Sequence, residues 1–326
     1  NGQYDELDEL LSAQREFLYS APAYHKSDYY INKAILNSNT GGEIIPFVDS
    51  AYHHLEQLEK NNRLEIKERG STALAFAYRQ ENPHKYDSLS RLAWKIHKAR
   101  SEKADKQTLI LLNNLADAKA SLQAYDSALL LMNKTIALAG DIYQGDHPRY
   151  AGYYLNKGAI FFNMQKNDSA IHYYEKAHAL NLKRLGEDHP MIIFSNNNLA
   201  TVYAKTGAQE KAKEKYRFII EKAPQILSPN HMIIAFAKTG LARILITEGA
   251  YKEAERLLSH ALEILPEPSW LHGLSQSAMA QVYQNTGREE KAEKWHQEAY
   301  KKVKAQRGEE DMYTQRVKEA MDGVAM

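Results

Sequence analysis

The stretch Gly145-Asp146-His147-Pro148 returns later in the chain as Gly186-Glu187-Asp188-His189-Pro190. The histidines of the two stretches are 42 residues apart, and so are Ala170 and Ala212 within the blocks that these stretches open. A fixed period between about 20 and 50 residues is typical of repeat proteins, in which each unit buries its apolar face against its neighbours. The sequence therefore predicts an array of repeats, which counts as one body and not as several compact domains.

Each predicted repeat contains two helices that are joined by a short turn. Pro148 and Pro190 stand where a first helical position tolerates proline, and Gly207 follows the end of a helix. The first and second helices of the six predicted pairs span, in chain order, residues 64–81 and 86–100, 106–122 and 125–139, 149–164 and 167–184, 191–206 and 209–223, 233–248 and 251–264, and 270–286 and 289–305.

The predicted array divides the chain into three parts. Residues 1–63 are expected to form N-terminal helices that make a degenerate or capping repeat, and residues 64–305 form the six pairs. Residues 306–326 are expected to form either a C-terminal capping helix or the start of a truncated repeat, with Tyr313 and Val317 on one helical face.

Small residues recur in register within the predicted pairs. One first helix carries Leu199-Ala200-x-x-Tyr203, and Ala212 follows twelve residues after Ala200. The same spacing separates Ala116 from Ala128, Gly158 from Ala170, Ala242 from Ala254 and Ala280 from Ala292. This pattern resembles the tetratricopeptide repeat (TPR), whose small residues lie where the two helices of a pair cross closely.

The period of 42 residues and the Gly-x-Asp-His-Pro linker look most similar to the repeats of kinesin light chain and of bacterial proteins that couple TPRs to caspase-like (CHAT) domains. The resemblance implies an all-α fold, a right-handed α-solenoid of stacked antiparallel helix pairs. It also implies a non-enzymatic scaffold that binds a protein or an extended peptide segment along its first helices.

Residues for this binding groove follow from the positions that the resemblance assigns to the first helices. The position two before each small residue holds asparagine in three successive repeats, whose carboxamides would match the donors and acceptors of an extended peptide. Aromatic side chains occupy further first-helix positions, where they would either contact apolar ligand groups or pack between repeats. The predicted groove residues are Asn114, Asn156, Asn198, Phe162, Phe194, Phe236 and Arg243. No Lys or Arg occupies the aligned asparagine positions, so the clamp by which some family members hold carboxylate-terminated peptides is missing there.

Several functional classes are disfavoured by composition. The 42 Lys and Arg residues are balanced by 41 Asp and Glu residues, which argues against nucleic-acid binding, and the apolar runs are too short for membrane insertion. The absence of cysteine excludes disulfides, thiolate catalysis and cysteine-ligated metals within this chain. No phosphate-binding loop, zinc-protease motif or nucleophile elbow is present, so neither a catalytic site nor a cofactor nor a metal is predicted. His147, His189 and His231 are interpreted as turn and helix-start residues, because the loops of successive repeats stack one repeat apart and cannot converge on one metal ion.

Three alternative functions stay open at this point. The first is a regulatory or sensor module that controls an effector domain, caspase-like or signalling, which this chain does not contain. The second is an enzyme built on the helical scaffold, and the third is self-association into a homo-oligomer through the N-terminal helices. The compartment is open between the cytoplasm and, if a signal peptide has been removed, the periplasm.

Overall fold

The computed structural model describes residues 21–40, 43–54, 57–79, 82–143, 146–267 and 269–323. These residues form fifteen α-helices and no β-strand. Within each of the two units described below, consecutive helices pack against one another as pairs, so the predicted all-α solenoid is confirmed. Residues 1–20 of the predicted N-terminal helices lie outside the described residues.

The chain divides into two compact units, of which unit 1 comprises residues 1–160. Its helices are α1 (Ala23–Thr40), α2 (Ile45–Tyr52), α3 (Lys60–Ala77), α4 (Pro83–Arg100), α5 (Lys106–Ser121), α6 (Tyr125–Ile142) and most of α7 (Arg149–Asn163). Helices α1, α2 and α3 pack together around Ile31, Val48 and Ile66, and from α3 to α6 each helix packs on the next.

Unit 2 comprises residues 161–326. Its helices after the end of α7 are α8 (Asn167–Leu185), α9 (Pro190–Lys205), α10 (Gln209–Ile226), α11 (Met232–Thr247), α12 (Tyr251–Ile264), α13 (Trp270–Asn285), α14 (Glu289–Arg307) and α15 (Met312–Met321). Each helix packs on the next, and α9 also contacts α11, α11 contacts α13, and α13 contacts α15. The first helices of successive pairs therefore lie side by side along one face of unit 2.

The observed helices α3 to α14 follow the predicted pairs with shifts of a few residues at their ends. The largest shift is in α3, which begins at Lys60 and ends at Ala77, whereas the pattern predicted residues 64–81. The division into a capping region, six repeats and a C-terminal cap stays a prediction.

The small residues that recur in register are buried. Ala116, Ala128, Ala170, Ala200, Ala212, Ala242, Ala254 and Ala280 are 0% exposed, and Ala292 is 3% exposed. A larger side chain at such a position would overpack the crossing of two helices. The two helices of a pair can thus cross closely because the side chain at the crossing is only a methyl group or, at the buried Gly158, a hydrogen atom.

The turns within the helix pairs share one backbone conformation. Gly207, Gly249 and Gly287 have φ angles of 76° to 77°, in the left-handed region, which glycine adopts without a steric penalty. In the earlier repeats Gln123 and Gln165 take the same conformation, with φ angles of 58° and 62°. The next amide then donates to a carbonyl five residues earlier in the chain, which satisfies one of the helix's last acceptors.

The repeated histidines are helix-start residues, as the sequence predicted. His189 and His231 are the N-cap residues of α9 and α11, and each ring Nδ1 accepts a hydrogen bond from the amide two residues later, at 3.1 and 3.2 Å. Nδ1 of His147 accepts in the same way from the amide of Arg149, at 3.2 Å. Each ring therefore uses its unprotonated Nδ1 to satisfy a free backbone donor.

Substitution of Gly240 tests the packing of α11 on α10. A Cβ atom at Gly240 would lie 2.4 Å from Cζ of the buried Tyr216 ring, whereas a Cβ atom at Gly152 of α7 would meet nothing within 4 Å. We expect Gly240→Ala to lower the free energy of unfolding by about 1–3 kcal/mol through overpacking. The control Gly152→Ala should raise it by roughly 0.5–1 kcal/mol, because alanine loses less backbone entropy in a helix. Urea unfolding measures both values, and equal effects of the two substitutions would contradict this packing.

Substitution of His296 tests the cost of an unsatisfied buried ring. His296 of α14 is 4% exposed, and neither ring nitrogen has a hydrogen-bond partner among the described residues. We expect His296→Phe to raise the free energy of unfolding by about 1–3 kcal/mol at pH 7, since two polar atoms no longer lose hydration on folding.

The same substitution should change the pH dependence of stability. Burial lowers the pKa of His296 in the folded chain, so the unfolded state binds more protons as the pH falls through about 6.5. The wild type should therefore lose more stability than His296→Phe between pH 7 and pH 5. Thermal unfolding across this range measures the difference, and parallel curves for the two proteins would contradict the assignment.

Candidate functional site

The first helices of unit 2 border a cavity of about 420 Å³, here called the unit 2 cavity. Its wall is formed by residues of α9 and α11, by the end of α7 and by one side of α15. The side chains that define it are Phe162, Thr201, Lys205, Tyr216, Phe236, Arg243, Tyr313 and Arg316. Its volume lies within the range of sites that bind small ligands or parts of larger ones.

Lys205 stands at the edge of the cavity, near the turn between α9 and α10. Its Nζ lies 4.6 Å from the centroid of the Phe162 ring and donates a hydrogen bond to Oε1 of Gln165, a neutral side chain. Burial and the nearby Arg316 guanidinium lower the pKa of Lys205. The charge of this lysine is therefore placed beside another cation and has no carboxylate partner in the described residues.

Arg243 of α11 stands deeper in the wall. Its Nη1 is shielded from solvent and has no hydrogen-bond partner in the described part of the chain. Burial, followed by the charge of Arg316, lowers the pKa of Arg243. Glu319, on the exposed side of α15, acts in the opposite direction, but it forms no ion pair with Arg243. The site thus holds a half-buried arginine whose Nη1 has no hydrogen-bond partner and whose charge is not paired by a contacting carboxylate.

Two tyrosines complete the polar part of the lining. Burial raises the pKa of Tyr216 to about 12, and a hydrogen bond with Thr201 acts against this rise. Burial also raises the pKa of Tyr313, whose ring lies 4.9 Å from the ring of Trp270. Both phenols therefore stay neutral at pH 7. The ring end of Tyr216 occupies the space next to Gly240, where any side chain would collide with it.

Local contacts fix the position of α15 against the cavity. The side chain of Asp311 caps the helix by accepting a hydrogen bond of 2.9 Å from the amide of Tyr313, and Nη2 of Arg307 lies 2.9 Å from Oδ2 of the same aspartate. Val317 is fully buried among residues of α13 and α14. With Val317 held in the core, Tyr313 and Arg316 lie on the side of the helix that borders the cavity.

The structure brings three of the predicted groove residues to this one cavity, namely Phe162, Phe236 and Arg243. Phe194 does not line it; its side chain is 37% exposed, and its ring packs edge-on to His231 with centroids 6.2 Å apart. Asn198 is half-buried on α9.

The other predicted asparagines lie in unit 1. Asn114 borders a groove of about 930 Å³, here called the unit 1 groove, which Phe76 and Ile110 also line. Nδ2 of Asn156 donates a hydrogen bond of 2.8 Å to Oδ1 of Asn113. The amide ladder of three asparagines therefore stays a prediction, and Asn156 already uses one of its donors within the protein.

The two arginines nearest the carboxylates of the unit 1 groove have acidic partners, unlike the cations of the unit 2 cavity. Glu68 is buried, and its carboxylate lies 2.9 Å from Nη1 of Arg100 and 3.3 Å from Nδ1 of His97. Nε2 of His97 lies 3.2 Å from Oδ1 of Asp105 on the other side of the ring. Arg69 forms an ion pair with Asp28. These contacts form a structural network that leaves Arg149, an exposed residue at the groove, outside it.

Sequence reasoning missed three residues of the unit 2 cavity, which are Lys205, Tyr313 and Arg316. Tyr313 was assigned to one face of the last helix, but the residue pattern carries no information on where that helix packs. Lys205 and Arg316 look like ordinary surface cations in the sequence. Only the tertiary structure shows that these two cations lie close to each other without a contacting carboxylate.

Among the residues that the structure describes, no group of three or more His, Asp or Glu side chains is arranged to hold a metal ion. None of the helices formed by those residues is both long and apolar enough to cross a membrane.

Comparison with known proteins shows which family and which solved structures the chain is similar to. Residues 149–221 match the family described as Tetratricopeptide repeat. No curated protein sequence matches the chain. The chain is similar to a Rap protein complexed with Competence and Sporulation Factor, at 14% identity and a TM-score of 0.64, over 96% of this chain and 81% of that one.

Two further solved structures share the arrangement. NprR in complex with its cognate peptide NprX is 15% identical, with a TM-score of 0.60 over 92% of this chain and 82% of that one. Repeats assigned to a kinesin light chain of Podosopora anserina are 20% identical, with a TM-score of 0.51 over 60% of this chain and 95% of that one. The predicted fold is thereby confirmed, and kinesin light chain repeats are among the structures that share it.

Proposed function

We propose that this chain, which has the fold of tetratricopeptide-repeat proteins, is a non-enzymatic scaffold that binds an extended segment of a protein or peptide along the first helices of unit 2. The observation that carries this proposal is the unit 2 cavity, in which Phe162, Phe236 and Arg243 come together. These three residues were selected from their repeat positions alone, and the cavity has the volume of a ligand site.

The chemistry of the lining suits part of a polypeptide chain. Phe162 and Phe236 offer apolar surface to a side chain, while the hydroxyl oxygens of Thr201, Tyr216 and Tyr313 offer acceptors to the amides of a backbone. The Rap protein and NprR structures contain Competence and Sporulation Factor and the peptide NprX. Since these proteins share the fold, peptide binding is compatible with it.

The remaining predicted residues extend the proposal to other first-helix positions. Asn114 and Asn156 would contact a segment bound in unit 1, and Phe194 would contact one that continues along α9. Self-association through the N-terminal helices, the absence of nucleic-acid partners and the assignment of residues 306–326 as a cap stay predictions.

A regulatory module is the second candidate function, in which the array controls a caspase-like or signalling effector domain. The observation that favours it is the position of α15, since Tyr313 and Arg316 of this helix line the same cavity as residues of α9 and α11. A ligand that contacts both sides of the cavity would restrain α15. Binding of the ligand would thereby influence an effector domain that contacts α15. Slower amide hydrogen exchange of α15 on peptide binding would support this role, and unchanged exchange would count against it.

Obstruction of the unit 2 cavity tests the binding function. Ala204 lines the cavity and is half-buried, whereas Ala179 of α8 is exposed and does not line it. Peptides would be selected on the wild-type protein from a displayed library of random twelve-residue sequences. We expect Ala204→Trp to weaken binding of the selected peptides at least about tenfold, because the indole fills the cavity.

The matched control is Ala179→Trp, which should bind the same peptides as the wild type does. Circular dichroism and thermal unfolding would establish that both variants are folded. Selected peptides that bind Ala204→Trp with unchanged affinity would contradict the proposed site, and a library from which no peptide is retained would contradict the proposed function.

A further inference from the structure

The unit 2 cavity is lined by three cations and by no acidic residue. Lys205, Arg243 and Arg316 contribute the positive charge, and the remaining lining side chains are apolar, hydroxylic or amide groups. The cations lie close enough to interact, because Arg316 lowers the pKa of both Lys205 and Arg243. The local repulsion is therefore a property of the cavity and not of one side chain.

Partial burial makes this arrangement unfavourable for the folded chain, since all three cations are half-buried. A charged group that leaves water loses hydration free energy unless a counter-charge and hydrogen bonds replace it. Arg243 has neither at Nη1. Glu319 lines an adjoining cavity together with Arg243 and Arg316 and partly offsets the charge of Arg243, but no ion pair joins it to Arg243.

The unit 1 groove shows how this protein treats such charges elsewhere. That groove contains three carboxylates, Glu65, Glu68 and Asp105, and Arg100 pairs with the first two at 3.3 and 2.9 Å. The unit 2 cavity has a similar position on first helices but lacks the acidic partners. A missing counter-charge in an otherwise open site is what a site for an anionic ligand group requires.

We propose that the unit 2 cavity recognises a carboxylate of the bound segment, held between the guanidinium groups of Arg243 and Arg316 with Lys205 at the rim. This inference rests on the proposed peptide-binding function and specifies its ligand chemistry. The residues differ from the family's clamp for carboxylate-terminated peptides, since Arg243 follows the small residue Ala242 and Arg316 belongs to α15.

A carboxylate fits the available donors better than a phosphate does. Guanidinium groups present paired N–H donors that match the two oxygens of a carboxylate. Further threonine donors are scarce, because the hydroxyls of Thr201, Thr239 and Thr247 already donate to backbone carbonyls of their own helices, at 2.8, 2.8 and 2.7 Å. A phosphate has more oxygens and a larger negative charge to compensate.

The test compares retention of defined peptide sub-libraries on the whole chain. Each sub-library of random twelve-residue peptides has one central position fixed as Asp or Glu, as Asn or Gln, or as phosphoserine, and is made with either a free or an amidated C-terminus. We expect the wild type to retain the acidic sub-libraries at least about tenfold better than their amide counterparts. Arg243→Gln and Arg316→Gln should reduce this preference to near equality.

The control Arg217→Gln removes an exposed arginine on α10 and should keep the full preference. Without peptide, Arg243→Gln should unfold at a temperature equal to or above that of the wild type, because an uncompensated buried charge is removed. A purely structural arginine would instead lower the unfolding temperature when substituted, so this outcome would overturn the assignment.

The remaining outcomes separate the inference from the proposed function. Stronger retention of the Asp or Glu sub-libraries with either terminus identifies a side-chain carboxylate, and stronger retention of free-terminus peptides than of amidated ones identifies a terminal carboxylate; both support the proposal. Equal retention of acidic and amide peptides together with equal retention of free and amidated termini, or stronger retention of phosphoserine, overturns the carboxylate inference alone. Failure of every sub-library to bind overturns the proposed function as well.

Discussion

The close crossing of the two helices of each pair is the constraint on which the rest of the structure depends. It is possible because the crossing points hold alanine or glycine, which are buried with almost no exposed surface. A methyl group is the largest substituent that such a contact accommodates without shifts of the backbone. Since the small residues recur at a fixed spacing, successive pairs pack in the same way, and the first helices of unit 2 contact one another in series.

This packing exposes one side of each first helix to a shared face, and the chemistry of that face is set by residues that the crossings do not constrain. In unit 1 the residues of this kind include carboxylates that pair with Arg69, His97 and Arg100. In unit 2 they include cations without acidic partners and aromatic rings around a cavity. The same helical fold therefore carries two surfaces with different electrostatics. In the unit 2 cavity, a ligand could compensate positive charge that has no contacting carboxylate.

The sequence was sufficient to predict the helices and their pairing, because both depend on local and periodic features. The spacing of Ala200 and Ala212, the turn glycine Gly207 and the helix-start histidine His189 each have a direct structural counterpart. The same register also selected Phe162, Phe236 and Arg243 as candidate residues. The register could not associate Arg316 with these residues, since its place at the cavity depends on the tertiary position of α15. The register also predicts Phe194 for the groove, and in the structure the ring of Phe194 packs against His231.

The unpaired cations of the unit 2 cavity affect both the stability of the free chain and its choice of ligand. Replacement of a buried, unpaired charge by a neutral group of similar size is commonly neutral or stabilising. Nη1 of Arg243 is such a group, since it is buried without a hydrogen-bond partner. A ligand carboxylate would supply the counter-charge that Arg243 lacks in the free protein. Arg243 would therefore lower the stability of the unbound chain and, in the complex, favour an acidic segment over a neutral one.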